Sequence, residues 1–276
     1  MTDFTSSPVT AHDDLIDTQG GRLFVRRWQP ANAVNADASP IVLLHDSLGC
    51  VALWRSFPAA LCAATQRRVI AYDRLGFGRS DANHDTLPLT FIDDEPTQGF
   101  AALRNALGIN RFIALGHSVG GCMAVHCAGT YAEACDGLIT LSAQAFNEPR
   151  TRSGIVEAKA LFQAPEQRAK LEKYHGDKAR WVLTAWTETW LNPAFKHWSL
   201  TSALEQVTCP SLVIHGEKDE YGSLRQPERI VRYMNGPAHC EILPNIHHVP
   251  HRESEARVVE LVSVFIARHE RFAYFI

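Results

Sequence analysis

A short apolar run, Arg111-Phe112-Ile113-Ala114-Leu115, leads straight into Gly116-His117-Ser118-Val119-Gly120, and small apolar residues fill Gly121 to Ala128. The first run reads as a buried strand and the last as a buried helix, so a serine between glycines stands at a strand-to-helix turn. Such a turn forces strained backbone angles on the serine. It leaves the hydroxyl bare at the strand tip and aims the next amide at the same place. With Gly and Ser each near ~7% of residues, the bare pattern arises by chance in roughly one chain of this length in ten. The strand before it and the helix after it, rather than the pattern itself, constrain the fold.

Three further sites supply what a serine nucleophile needs. Pro210-Ser211-Leu212-Val213-Ile214-His215-Gly216 reads as a buried strand, followed by Glu217-Lys218-Asp219-Glu220. A carboxylate at such a strand end holds a histidine in the tautomer that accepts the serine proton, and Asp219 is the candidate, with Glu217 and Glu220 its rivals. Glu241-Ile242-Leu243-Pro244 is another short strand, and the loop Asn245-Ile246-His247-His248-Val249-Pro250-His251 follows it with candidate bases. Ile41-Val42-Leu43-Leu44-His45 is an apolar strand that opens into Asp46-Ser47-Leu48-Gly49. A backbone N–H from that loop, at Ser47, would pair with the Val119 N–H to hold a developing oxyanion.

Alternation of strands and helices runs along most of the chain. Leu15-Ile16 and Arg22 to Trp28 read as a hairpin through Gly20-Gly21, and residues 29–40 as a surface loop. Trp54 to Ala64 and Glu95 to Leu107 read as helices, Arg68 to Tyr72 and Asp136 to Leu141 as strands. This order predicts a mostly parallel sheet covered on both faces. From Asn147 to Val207 the pattern is helical only, at about Gly154–Gln163, Pro165–Tyr174 and Lys178–Leu191, which predicts an inserted helical cap. The expected division is a core of 1–146 and 206–276 with a cap of 147–205.

These sites resemble the α/β-hydrolases over nearly the whole chain. The resemblance is carried by His45-Asp46-Ser47-Leu48-Gly49, Asp73 to Asp81, Gly116 to Gly121, Gly216-Glu217-Lys218-Asp219 and His247 to His251, in that family's order. It implies an eight-stranded, mostly parallel sheet with the cap between its sixth and seventh strands. It implies a catalytic Ser118, Asp219 and His248, the last preferred to His247 because His-Val-Pro-His matches the family's ending when read from His248. The chain departs at two places where the family usually has glycine: Asp46, after the first histidine, and His247, before the base. Asp73 and Asp81 read as structural hydrogen bonders flanking a Gly-x-Gly turn.

The expected activity is a serine hydrolase that cleaves a carboxylic ester, thioester or lactone through an acyl-enzyme, with neither metal nor cofactor. A serine at the elbow argues against relatives that attack with a carboxylate. A C–C bond hydrolase of the meta-cleavage type uses the same triad and stands as the alternative, although its oxyanion loop is typically richer in Gly and Pro than Asp46-Ser47-Leu48-Gly49. The reading from another class, a non-catalytic binding protein on this fold, normally goes with a lost triad member, whereas all three positions are filled here.

Four of the six tryptophans lie in the helical block. Trp186 and Trp190, four apart on one helix face, together with Leu48, are the candidate pocket residues, set against the plainer reading that the block needs large residues to pack itself. Between 150 and 198 nine Lys/Arg stand against five Asp/Glu, which reads mainly as a solvated face and, less simply, as steering for an anionic thioester. Cys122 reads as a small core residue, and His247, His248 and His251 as a loop cluster rather than a metal site. The aromatic C-terminus is expected to dock on the body.

In a chain of 276 residues, 46% hydrophobic composition is enough for one large core. A net charge of −3 argues against nucleic acid, and no apolar run approaches the ~20 residues that span a bilayer. Seven scattered cysteines and a polar N-terminus without signal-peptide features predict free thiols and a cytoplasmic enzyme. A small-molecule substrate and a monomeric or homodimeric state complete the expectation.

Overall fold

Residues 8–31 and 38–273 are described by a computed structural model. Its strands are β1 (Val9–Thr18), β2 (Gly21–Pro30), β3 (Ile41–Leu44), β4 (Val69–Tyr72), β5 (Phe112–His117), β6 (Cys135–Leu141), β7 (Ser211–Gly216) and β8 (Ala238–Leu243). They form one sheet in the order β1-β2-β4-β3-β5-β6-β7-β8, antiparallel at β1/β2 and β2/β4 and parallel from there on. The helices are α1 (Phe57–Thr65), α2 (Gly99–Leu107), α3 (Val119–Thr130), α4 (Pro149–Leu161), α5 (Pro165–His175), α6 (Ala179–Leu191), α7 (Thr201–Leu204), α8 (Arg225–Tyr233), α9 (Pro250–Glu253) and α10 (Glu255–Ala273).

The apolar strands are buried on both faces, and their alternating side chains feed two separate cores. Val42 and Leu44 of β3, Ala114 of β5 and Val213 of β7 pack with α2, α3 and α8. Ile41 and Leu43, Ile113 and Leu115, and Leu212 and Ile214 point the other way, onto α1 and α10. A one-residue slip of any central strand would exchange its contribution between the two layers, so the pattern fixes register. No helix among the described residues is long and apolar enough to cross a membrane.

Several boundaries differ from the sequence reading, each for a physical reason. β1 is far longer than Leu15-Ile16, because an edge strand needs no apolar alternation and is held by charge pairs across the ladder. Asp13 accepts from Arg26 at 2.6 Å and Asp14 from Arg27 at 2.7 Å. The loop expected from residue 29 starts later, since β2 continues to Pro30. The two single helices expected at 54–64 and 95–107 are each a 3-10 turn followed by a helix, broken at Arg55 (φ 55°) and at Gln98 (φ −109°, ψ −103°). The loop assigned to Asn245–His251 turns into α9 at Pro250. Helices α8 and α10 had no counterpart in the sequence reading. The aromatic side chains at the C-terminus, residues 1–7 and the middle of the 29–40 loop lie outside the described residues.

Between β6 and β7 the chain leaves the sheet for α4 to α7. It departs and returns through a two-stranded neck, in which Phe146 bridges Ser199 and the Leu200 N–H donates to the Ala145 carbonyl at 2.8 Å. Inside that neck the buried Asn147 side chain donates to the Trp190 and Phe195 carbonyls at 3.0 and 3.1 Å, which stitches α6 and the following turn to the entry strand.

Candidate active site

The topology itself selects a place for a site. From β3 the chain moves to β4 on one side and later to β5 on the other, so β3 and β5 diverge at a switch point, and their carboxyl ends leave a crevice. Loop 45–50 follows β3, Ser118 follows β5, Asp219 follows β7 and His248 follows β8. All four sequence candidates therefore converge on one end of the sheet.

Ser118 has φ 55° and ψ −125°, a strained combination for a residue with a side chain. The flanking glycines are required by crowding, not by their own angles. A Cβ on Gly116 would lie 2.0 Å from the Gly120 carbonyl oxygen, and one on Gly120 would lie 2.1 Å from the Leu44 oxygen. The helix thus starts tight against the strand, which pushes the Ser118 hydroxyl outward.

The His248 Nε2 lies 3.0 Å from Ser118 Oγ, and its Nδ1 lies 2.8 and 2.9 Å from the two Asp219 oxygens. A carboxylate only accepts, so Nδ1 carries the hydrogen and Nε2 presents a lone pair to the serine hydroxyl. Asp219 is fully buried, and its Oδ1 also accepts from the Tyr221 and Gly222 amides at 2.8 and 3.0 Å. Burial pushes this carboxyl toward neutrality, but the charge and hydrogen bond of His248, then His215 and the Tyr221 amide, hold its pKa below the ordinary value. Burial likewise disfavours a charged His248, yet the Asp219 carboxylate outweighs it and raises the imidazole pKa above the ordinary histidine value.

The rivals stand apart. Glu217 accepts from the Asn245 amide at 3.0 Å, and Glu220 from the His248 amide at 3.2 Å, both through the side chain. His247 is exposed and turns to Glu253 at 3.1 Å, while His251 is buried against Trp54 with ring centroids 4.7 Å apart. Asp73 and Asp81 bind the turn as expected: Asp73 accepts from the Val51 and Arg79 amides at 2.5 and 2.7 Å, and Asp81 pairs with Arg22 at 3.1 Å. Cys122 is buried, donates to the Gln144 carbonyl at 3.2 Å and has its thiol pKa pushed up to about 12 by burial.

A cavity of about 270 Å³ opens over Ser118, and Ser47, Leu48, Trp186 and Trp190 are among the residues that line it. Val119 is the first residue of α3, directly beside the serine and fully buried. Sequence reasoning did not find Gln144, Thr151, Ile155 or Tyr221, which also line this space. Tyr221 was findable as the second residue after the acid, and its ring lies 4.8 Å from that of His248. The remaining tryptophans of the helical block serve packing: Trp181 donates to the Asp85 carbonyl at 2.9 Å, and Trp198 packs on Phe195 and Trp190.

The basic residues of the helical block are not all on a solvated face. Arg150 donates to the Asp219 carbonyl and Arg152 to that of Trp190, each at 3.0 Å, and Lys178 reaches the Gly78 carbonyl at 2.8 Å. None of them lines the cavity, whose charged walls are the carboxylates Asp46 and Glu220 beside the imidazoles His117 and His248.

A family model described as the alpha/beta hydrolase fold matches residues 39–253. The chain belongs to this family. A 1-acylglycerol-3-phosphate O-acyltransferase from Homo sapiens is 33% identical over 113 residues, covering 41% of this chain. The chain spans only 32% of that curated relative's length. The crystal structure of a proline iminopeptidase from Mycobacterium smegmatis superposes with a TM-score of 0.72 at 23% identity, over 95% of this chain and 100% of that one. An esterase from Thermogutta terrifontis superposes with a TM-score of 0.70 at 18% identity, over 94% and 99% of the two chains. At these identities both structures speak for the α/β-hydrolase fold alone.

Proposed function

We propose that this α/β-hydrolase cleaves a carboxylic ester, thioester or lactone of a small, largely apolar substrate through an acyl-enzyme on Ser118. The observation that carries the reading is the 3.0 Å contact between His248 Nε2 and Ser118 Oγ, with Asp219 on the opposite ring nitrogen. His248 takes the serine proton as Oγ attacks the carbonyl carbon. The Ser47 and Val119 amides receive the negative charge that develops on the carbonyl oxygen. His248 then returns its proton to the leaving group, and water, deprotonated by the same ring, releases the acid and regenerates Ser118. The helical block acts as a cap whose Trp186 and Trp190 face the acyl group, and a cavity of about 270 Å³ favours compact acyl groups over long chains. A small-molecule substrate, a monomer or homodimer, and a cytoplasmic location go with this reading.

A fluorophosphonate probe tests it: wild type should label and Ser118→Ala should not. Equal labelling of both proteins would remove Ser118 as nucleophile. A second reading, release of an N-terminal proline, is favoured by the Glu220 carboxylate on the cavity wall, which suits a substrate ammonium. Proline p-nitroanilide assayed beside p-nitrophenyl acetate, a thioester and a lactone separates the two readings.

A further inference from the structure

The departure from the family pattern in the first loop meets the elbow in space. Asp46 stands where the family usually has glycine, and its Oδ2 lies 3.1 Å from Nδ1 of His117, the residue before the nucleophile. The other ring nitrogen, Nε2, lies 2.8 Å from the backbone carbonyl of His248. His117 is buried, with its side chain 2% exposed. A carbonyl oxygen only accepts, and so does an ionised carboxylate, so both ring nitrogens must donate. Neutral imidazole has one N–H. The bonding pattern calls for two.

We propose that His117 is a buried imidazolium paired with Asp46, and that this pair is a positioning device that neutralises the oxyanion loop and ties it to the elbow and the base loop. Asp46 immediately precedes Ser47, whose amide is the assigned oxyanion donor, and both line the cavity over Ser118. A bare carboxylate at that place would oppose the negative charge that forms on the substrate oxygen. An imidazolium beside it cancels that opposition. The same ring holds the His248 carbonyl, so one side chain fixes the segment that carries the base.

The surroundings agree. Asp46 Oδ1 accepts from the Leu48 amide at 3.0 Å, which folds the oxyanion loop around its own carboxylate. Burial opposes the charge on Asp46, but the His117 hydrogen bond and charge, then His45 and Arg252, drive its pKa well down. Two other histidines face the His117 ring, His248 at 5.1 Å and His251 at 4.8 Å between centroids. His251 has its pKa driven well below the ordinary value, first by burial and then by the neighbouring His117. Its Nδ1 has no hydrogen-bond partner, as suits a neutral ring packed beside a charged one.

Two measurements test the proposal, and only the second rests on the hydrolase reading. Nitrogen-15 spectra of the histidine side chains, assigned by the signals lost in His117→Gln, should show both His117 nitrogens protonated at pH 7.5. One protonated and one bare nitrogen would overturn it, whatever the enzyme does. In the kinetic arm, His117→Gln leaves Asp46 charged beside the oxyanion. It should lower kcat roughly 10- to 100-fold with little change in KM, within the range that coupled charged neighbours give. Adding Asp46→Asn to that background should restore most of the loss. Additive losses in the double variant, with melting temperatures showing both proteins folded, would make the pair structural only and overturn the positioning role.

Discussion

Asp219→Asn is the substitution for which the structure fixes a mechanism before a magnitude. The side chain is fully buried and its two oxygens are not equivalent. Oδ1 accepts from two backbone amides, at Tyr221 and Gly222, and lies 2.9 Å from His248 Nδ1, whereas Oδ2 has no amide and lies 2.8 Å from His248 Nδ1 and 3.4 Å from His215 Nε2. An asparagine must put its carbonyl oxygen toward the two amides, which leaves its NH2 aimed at His248. Donor then meets donor at 2.8 Å, and the one acceptor left to Nδ1 is an oxygen already shared by two amides. The ring relieves this by moving its hydrogen to Nε2, and Nε2 can no longer take the Ser118 proton. A triad with the wrong tautomer but intact geometry loses about 10^4-fold in kcat, or about 5 kcal/mol at 1.36 kcal/mol per decade. The assay is hydrolysis of p-nitrophenyl acetate with kcat and KM resolved, beside a thermal melt and the rate of fluorophosphonate labelling. Labelling should slow with kcat, since both draw on the same base. A folded Asp219→Asn protein within tenfold of wild type would refute the reasoning and move the acid elsewhere. Glu217→Gln, which touches only the Asn245 amide, and Glu220→Gln, which still accepts from the His248 amide, should both be close to silent.

Five further outcomes are expected. His248→Ala should lower kcat by on the order of 10^4-fold or more, whereas His247→Ala, which loses only its exposed pairing with Glu253, should change it little; the reverse ranking would displace His248. The acid limb of kcat/KM should lie above the ordinary histidine value of about 6.5, because His248 must be neutral to act and Asp219 raises its pKa; a limb below that value contradicts the pairing. Folding stability should follow the same pair: the raised His248 contributes below its unfolded pKa and loses that contribution as pH rises through the folded one, while the lowered Asp219 contributes above its unfolded pKa and loses it as pH falls, as read by urea midpoints across pH. Gly120→Ala would set a Cβ 2.1 Å from the Leu44 oxygen and 2.5 Å from that of His45, and should lower the melting temperature by about 5–10 °C; an unchanged melt would mean the elbow can relax. Trp186→Ala or Trp190→Ala should raise KM for benzoate esters more than for acetate, and an equal effect on both would assign both rings to packing.

What the sequence made legible was whatever lies next to a strand end. Ser118, Asp219 and His248 each follow an apolar run, so their convergence could be read from local pattern and chain order. Trp186 and Trp190 were readable from helical spacing alone. β1 was not, because its carboxylates at Asp13 and Asp14 answer to arginines across the ladder and leave no apolar period. The contact between Asp46 and His117 spans 71 positions and showed in the sequence only as a residue where glycine was expected. The Glu148 carboxylate, which accepts from the Ser223 amide at 2.7 Å and from the Gln226 side chain at 2.8 Å, anchors the stretch after the acid and had no local signal at all. Long-range polar contacts between loops are set by tertiary geometry, and no period records them.

The neck at Phe146 and Ser199 gives the helical block a property that belongs to polymer statistics. Bringing the two ends of an excursion together costs an entropy that rises only with the logarithm of its length, about 0.6 kcal/mol for each doubling. With the neck closed by its own backbone pairing, the sheet is largely insensitive to how many residues are strung beyond it. Length and content there are therefore free to drift while the strand ends that carry Ser118, Asp219 and His248 stay put. A graft that keeps residues 145–147 and 198–200 and exchanges the interior should melt close to the parent and differ in what it accepts.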